Sequence, residues 1–178
     1  MTELRGIAAK TRYRPGEASD LPAIRAVEAL SYAGVEPDAG LSEALVTASV
    51  DTLSHIAEID GQLVGHILLT RIDGPERALA LAPLAILPDW RDMQIGTELV
   101  RHALRRARKD GWRSVFVYGQ PDYYGRFGFK SHLADPAEIG WQGPRFLALE
   151  LVSGALKGWT GPLRYPEAYQ AVAHALQR

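Results

Sequence analysis

Pro88-Asp89-Trp90-Arg91-Asp92-Met93-Gln94-Ile95-Gly96-Thr97-Glu98-Leu99 carries the chain from an apolar strand, through a short polar turn, into a helix. A strand, a tight turn and a helix N-terminus together make a cradle for phosphate, because the first helical N–H groups have no intrahelical acceptor and point at whatever sits there. Such cradles are usually rich in glycine. This one has Gly96 alone, with Gln94 where a second glycine is expected.

Beyond the turn, Leu99, Val100, Ala103, Leu104 and Ala107 form one apolar stripe, which predicts a helix over residues 97–109 ended by Gly111. Arg101, Arg105, Arg106, Arg108 and Lys109 fall mostly on the opposite face. That run reads as a solvated face, with a grip on a ligand phosphate as the functional alternative. Residues 114–118 form a short buried strand, followed by the aromatic run Tyr123-Tyr124-Gly125-Arg126-Phe127-Gly128-Phe129. A late strand over 145–152 and a terminal helix over 167–176 complete this side. Trp141 and Trp159 stand in Gly/Pro-rich loops that suit either an acceptor wall or a cover over the core.

Before the turn, the nearly continuous apolar run 78–87 predicts a strand buried on both faces, and Pro83 interrupts it. Proline lacks the ladder donor, so this strand must bulge or part from a neighbour there. Further back lies a hairpin: residues 53–59, the pair Asp60-Gly61, then 62–71. Asp-Gly suits a two-residue turn with positive φ at both centres, which pairs Ile59 with Gln62 and sets His55 opposite His66. The two histidines read as packed sheet residues, with metal ligation or a proton relay as the alternative. Helices are expected over 21–32, capped by Asp20, and over 41–49, after a first strand at 11–14. Residues 1–10 read as a flexible tail and 11–178 as a single domain.

Composition narrows the classes of function. Among 178 residues, 20 basic and 21 acidic side chains leave a formal charge of -1, which argues against a nucleic-acid partner held mainly through phosphates. Cysteine is absent, which excludes disulfides, thiolate metal sites and a cysteine nucleophile. The sequence has no apolar run near the roughly 20 residues of a membrane span and no secretory signal, so a cytoplasmic protein without a membrane partner is expected. Strands and helices interleave, which predicts a mixed α/β unit.

The strand-turn-helix at 84–99, followed by the Tyr-Tyr-Gly-Arg-Phe-Gly-Phe run, resembles the GNAT superfamily of acetyl-CoA-dependent N-acetyltransferases. The family signature is Gln or Arg, two variable residues, Gly, one variable residue, then Gly or Ala. Here Arg91 and Gly96 match its ends and Gln94 replaces the middle glycine. Leu81-Ala82-Pro83-Leu84-Ala85-Ile86-Leu87-Pro88, Gly65-His66 and Phe146-Leu147-Ala148-Leu149-Glu150-Leu151 resemble its YhbS-like bacterial branch. The resemblance covers the chain from about Tyr13 onward. It implies a central mixed sheet with splayed strands, flanked by helices.

The resemblance also implies transfer of an acetyl group from acetyl-CoA to a primary amine of a small-molecule or peptide acceptor, which the sequence does not identify, by direct attack; a monomer or homodimer without a metal is expected. In that scheme the N–H groups of Arg91, Asp92, Met93, Gln94, Ile95, Gly96 and Thr97 hold the pyrophosphate, and Asp92 and Glu98 must turn their side chains outward. Leu84, Ala85 and Ile86 pair with the extended pantetheine arm, and the N–H of Ile86 polarises the thioester carbonyl. Tyr124 corresponds to the family's general acid, while Tyr123 reads as packing. Family members often carry a glutamate base on a central strand, but runs 78–87 and 114–118 hold no acid, so the base is unassigned. A catalytically weak acyl-CoA-binding or sensing module of the same fold is the alternative, and an unrelated α/β nucleotide binder a third reading. For Gln94 an ordinary right-handed conformation is expected, with CoA binding retained.

Overall fold

Asp60 and Gly61 take φ of 50° and 79°, the two positive values that a tight hairpin needs. Around this turn β2 (Thr52–Ile59) and β3 (Gln62–Ile72) lie side by side. The structure, a computed structural model, describes residues 6–7, 10–31 and 40–169. In chain order the other elements are β1 (Arg12–Pro15), α1 (Leu21–Ser31), α2 (Leu41–Thr47), β4 (Ala78–Ile86), α3 (Ile95–Lys109), β5 (Ser114–Tyr118), α4 (Pro121–Gly125), β6 (Ala137–Glu138), β7 (Phe146–Glu150) and β8 (Gly161–Pro162). Six strands form one mixed sheet in the order β1-β2-β3-β4-β5-β7, and β6 pairs with β8. This is the expected mixed α/β fold, its sheet flanked by helices. Tyr32 and the expected helix from residue 170 onward lie outside the described residues; Glu167–Tyr169 form a 3-10 turn.

The chain divides into two compact units, Met1–Leu69 with Pro83–Ala103 and Thr70–Ala82 with Leu104–Arg178. In the first, Gly6, Ile7 and Lys10 are helical and Thr11 bonds back to the Ile7 carbonyl. β1 then runs antiparallel to β2, from Arg12↔Glu58 to Pro15↔His55. Arg14 bridges Asp20 at 2.8 Å and Glu58 at 2.6 Å, fastening the start of α1 to the sheet. The Arg14 hydrogen bond holds the Asp20 carboxyl below its ordinary range. Asp20 also accepts the N–H of Glu17, so it closes a 3-10 turn that leads into α1. Ile24 and Val27 on α1 join Leu41, Leu45, Ile56 and Val64 in the core, each at most 3% exposed. Side chains buried this fully supply most of the stabilisation, about 1.5–3 kcal/mol apiece.

In the second unit β4 runs parallel to β5 with Ala78↔Ser114, Leu79↔Val115 and Ala80↔Phe116 paired. The register ends there although both strands continue, and β5 pairs on with β7 as far as Tyr118↔Phe146. The parting follows the expectation for Pro83, whose missing N–H interrupts the ladder. Parallel strands need a crossover, which α3 supplies. Its C-terminus closes at Gly111, φ 83°, with the Trp112 N–H reaching back to the Ala107 carbonyl at 3.0 Å. Arg77 caps the remaining carbonyls of Asp110 and Gly111 and stacks over the Trp112 ring at 4.6 Å.

Candidate functional site

The turn between β4 and α3 is tighter than the sequence suggests. Pro88–Trp90 form a 3-10 turn with proline at its start, and the Arg91 N–H donates to the Pro88 carbonyl at 3.3 Å. Asp92 and Gln94 then take φ of 60° and 65°. The expected right-handed conformation of Gln94 is therefore wrong: two left-handed residues flank Met93 and reverse the chain at once into α3. Without glycine's freedom, such a residue is strained by about 1–2 kcal/mol. The first turn of α3 closes when Glu98 N–H meets the Gln94 carbonyl at 3.0 Å. Ile95, Gly96 and Thr97 precede that bond, so their N–H groups lack intrahelical acceptors. Asp92 is exposed, and the Glu98 carboxylate is tied to Arg101 at 2.5 Å.

At the end of β4, the Leu87 N–H donates to the Val64 carbonyl of β3 at 2.9 Å. Strand alternation then turns the N–H and carbonyl of Ile86 away from β3. The Ile86 carbonyl accepts the Ser31 hydroxyl at 2.8 Å and the Arg91 guanidinium at 3.4 Å, and Arg91 also donates to the Ser31 carbonyl at 2.6 Å. Arg91 thus locks the strand end to the last residue of α1, a role that its place in the motif does not disclose. Ala85 is buried; Leu84 and Ile86 are half-buried. Gly65 on β3 is what lets this corner close: a Cβ there would stand 2.8 Å from Ile86 Cδ1 and 3.0 Å from Leu99 Cδ1.

Tyr124 belongs to the second unit, on the short helix α4. Its ring meets Tyr123 edge-on at 5.0 Å and Phe129 at 5.7 Å. A Cβ on Gly119 would lie 2.5 Å from Tyr124 Cε2, so glycine at 119 sets where the ring rests. Tyr123 packs on Phe127 and carries Arg126 over its face at 5.1 Å, in line with a packing role.

Sequence reading missed a buried polar cluster in the first unit. Glu28 and His66 are both fully buried, with His66 Nδ1 3.2 Å from Glu28 Oε1 and its Nε2 2.9 Å from the Ser54 hydroxyl. The Ser42 hydroxyl donates to the same Glu28 oxygen. Glu28 Oε2 is buried without a hydrogen-bond partner. The available signal was an acid set among the apolar positions of a helix; its partner lies 38 residues away on a strand. Among the described residues no group of three or more His, Asp or Glu side chains gathers for a metal. Of the basic run on α3, Arg101, Arg105, Arg108 and Lys109 are exposed and Arg106 pairs with Asp110, as a solvated face requires.

Against this geometry stand the comparisons with known proteins. The profile of the acetyltransferase (GNAT) family matches residues 21–129. The chain is 32% identical over 161 residues to the uncharacterized N-acetyltransferase YjhQ of Escherichia coli K12, covering 86% of this chain and 76% of YjhQ. It is 30% identical over 124 residues to the uncharacterized N-acetyltransferase YhbS of the same strain, covering 66% and 74%. A crystal structure of E. coli YhbS in complex with CoA superposes with a TM-score of 0.84 at 27% identity, over 90% of this chain and 92% of that one. A GNAT acetyltransferase from Brucella melitensis in complex with acetyl-CoA gives 0.76 at 27% identity, over 89% and 97%. No helix among the described residues is long and apolar enough to cross a membrane.

Proposed function

The chain belongs to the GNAT acetyltransferase family, and from that premise we propose that it moves the acetyl group of acetyl-CoA onto a primary amine by direct attack, residues 11–178 working as one domain. In the reaction the amine nitrogen bonds to the thioester carbon, the C–S bond breaks, the departing sulfur takes a proton and the amine gives one up. Amides from Asp92 to Thr97 hold the pyrophosphate, helped by the positive end of α3. Arg91 contributes through its side chain, by fixing the carbonyl of Ile86. The N–H of Ile86 polarises the thioester carbonyl, and Leu84 and Ala85 align the pantetheine arm beside the strand. The hydroxyl of Tyr124 supplies the sulfur's proton, which suits a phenol protonated at neutral pH.

The observation that carries this reading is the end of β4: its pairing with β5 stops at Ala80, and Ile86 faces away from β3 with its carbonyl already fastened. Relatives with CoA and acetyl-CoA bound support the choice of co-substrate. Free thiol released from acetyl-CoA, measured across a panel of primary amines, tests the activity. CoA binding with no release for any amine would leave a binding module instead. Within an active protein, Tyr124→Phe should lower kcat about 100-fold or more while CoA affinity stays nearly constant. An unchanged kcat removes Tyr124 from the mechanism.

A further inference from the structure

The buried network of Glu28, His66, Ser42 and Ser54 plays no part in the steps of acetyl transfer, yet it ties four elements together. Through Glu28 Oε1, α1 is bonded to the Ser42 hydroxyl of α2 and to His66 Nδ1 of β3, 3.2 Å away. Through His66 Nε2, β3 is bonded in turn to the Ser54 hydroxyl of β2 at 2.9 Å. The side chains of Glu28 and His66 have no exposed surface. As a source of stability this is a poor arrangement. Burying a carboxylate carries a desolvation cost, Glu28 Oε2 has no hydrogen-bond partner to offset it, and apolar side chains of similar volume commonly hold such a site as well or better. Apolar contact, however, is non-directional and lets a helix turn or slide by small amounts, whereas hydrogen bonds fix direction. What the network supplies is the rotation and axial register of α1 against the sheet.

That register is used one turn further along α1. Ser31 stands three residues after Glu28, on the same helix face. There α1 grips the end of β4: the Ser31 hydroxyl donates to the Ile86 carbonyl at 2.8 Å, and the Ser31 carbonyl accepts Arg91 at 2.6 Å. Gly65 and His66 are consecutive on β3 and so face opposite sides of the sheet. Gly65 gives room to Ile86 and Leu99 on one side, while His66 holds α1 on the other. All of these residues belong to the first compact unit. In an extended strand the N–H and carbonyl of one residue point the same way, so whatever holds the Ile86 carbonyl also aims its N–H. We infer that Glu28 and His66 are positioning residues: through α1 and Ser31 they set the direction of the Ile86 N–H that faces the thioester oxygen. The inference rests on the acetyl-transfer reading, and it gives Glu28 no proton to carry.

Three variants, assayed by thiol release from acetyl-CoA with the fastest amine of the panel, test it. Glu28→Met, Ser42→Ala and His66→Leu together replace the network by apolar side chains, and the Tm of this triple variant should stay at or above the wild-type value. Its kcat should nevertheless fall about tenfold to 100-fold, as for a slightly misaimed group, while KM for acetyl-CoA moves less than about threefold. Glu28→Gln keeps an oxygen for both donors and should recover most of that loss. Ser31→Ala should lower kcat by a similar factor, and adding it to the triple variant should lower kcat little further. A triple variant with wild-type kcat, one with Tm well below wild type, or losses that multiply would overturn the inference. So would Glu28→Gln as slow as the triple variant, which would make Glu28 a proton acceptor instead. If the wild-type protein turns over no amine, it is the acetyl-transfer reading that fails. The positioning is then read from the NMR amide resonances of Ile86 and Leu87, which the triple variant and Ser31→Ala should displace alike. Resonances that the triple variant leaves in place would overturn the positioning without any turnover.

Discussion

The hairpin between β2 and β3 and the turn before α3 each pass through left-handed backbone at two residues, and they achieve it by different means. In the hairpin, Asp60 and Gly61 take φ of 50° and 79° with residue types made for the purpose. In the turn before α3, Asp92 and Gln94 take 60° and 65° with no glycine at either position. The first turn is relaxed and stands at an exposed tip. The second is strained and is held by its stems: Arg91 to Ser31 and Ile86, Trp90 N–H to the Leu87 carbonyl at 2.9 Å, and Ile95 and Leu99 at 2% and 0% exposure. A strained turn survives only where its surroundings over-determine it, and such turns cluster at functional sites. Backbone conformation in the hairpin is set by its own residues; in the other turn it is set by what clamps the ends.

The sharpest way to break the comparison is to open the clamp without touching the turn. Gly65→Val drives branched methyls into Ile86 and Leu99, one on each stem. Overpacking of this kind should cost about 1–3 kcal/mol in thermal or urea unfolding. It should also weaken CoA binding in protein that is still folded, as measured by calorimetry below the transition. Wild-type CoA affinity in a folded Gly65→Val protein would show that the stems do not shape the turn. The matched change in the relaxed turn is Gly61→Val, which forces a β-branched residue to φ 79° and should cost about 1–2 kcal/mol. Here CoA affinity should stay at the wild-type level, since the hairpin tip is exposed and takes no part in the clamp.

The same contrast explains what was legible in the sequence. Asp60-Gly61, the apolar stripe from Leu99 to Ala107, and Pro83 each act through neighbouring residues, so periodicity and turn chemistry recover them. The β5 span 114–118 agrees to the residue, because a short apolar run between Gly111 and Gly119 has little freedom. Tyr124 could be found by its phrase, but its ring position depends on Gly119 having no side chain, a fact of packing. Glu28 with His66, Arg77 with the end of α3, and Trp141 with Tyr165 are meetings across long stretches of chain. No local pattern encodes them. The conformation of Gln94 failed for a related reason: intrinsic preference opposes φ 65°, and the contacts that override it come from α1, β3 and β4.

Gln94→Gly sharpens the comparison from inside the strained turn. Glycine removes strain of about 1–2 kcal/mol in the folded state but adds freedom to the unfolded chain, offsetting about 0.5–1 kcal/mol. A net gain of about 0.5–1 kcal/mol, a few degrees in Tm, is expected. CoA affinity should change by less than about threefold, because the turn already holds the left-handed geometry before ligand arrives. A gain of about tenfold or more would mean that the CoA-bound turn needs a backbone that Gln94 resists.

Asp92→Asn has the smallest expected effect and separates charge from conformation. Asparagine tolerates φ 60° as well as aspartate does, so the backbone and the stability should be unchanged. What is lost is one exposed negative charge within a turn of the N-terminus of α3, beside the amides assigned to the pyrophosphate. Removing a like charge at such a position is worth about 0.3–1 kcal/mol at low ionic strength. CoA should therefore bind up to about fivefold tighter in dilute buffer, and the advantage should fade near 1 M salt, where the screening length falls to about 3 Å. An affinity gain that persists at high salt would instead mean that the substitution reshaped the turn. Unchanged affinity at both salt concentrations would place the pyrophosphate away from this turn altogether, and the strain at Asp92 and Gln94 would then need another purpose.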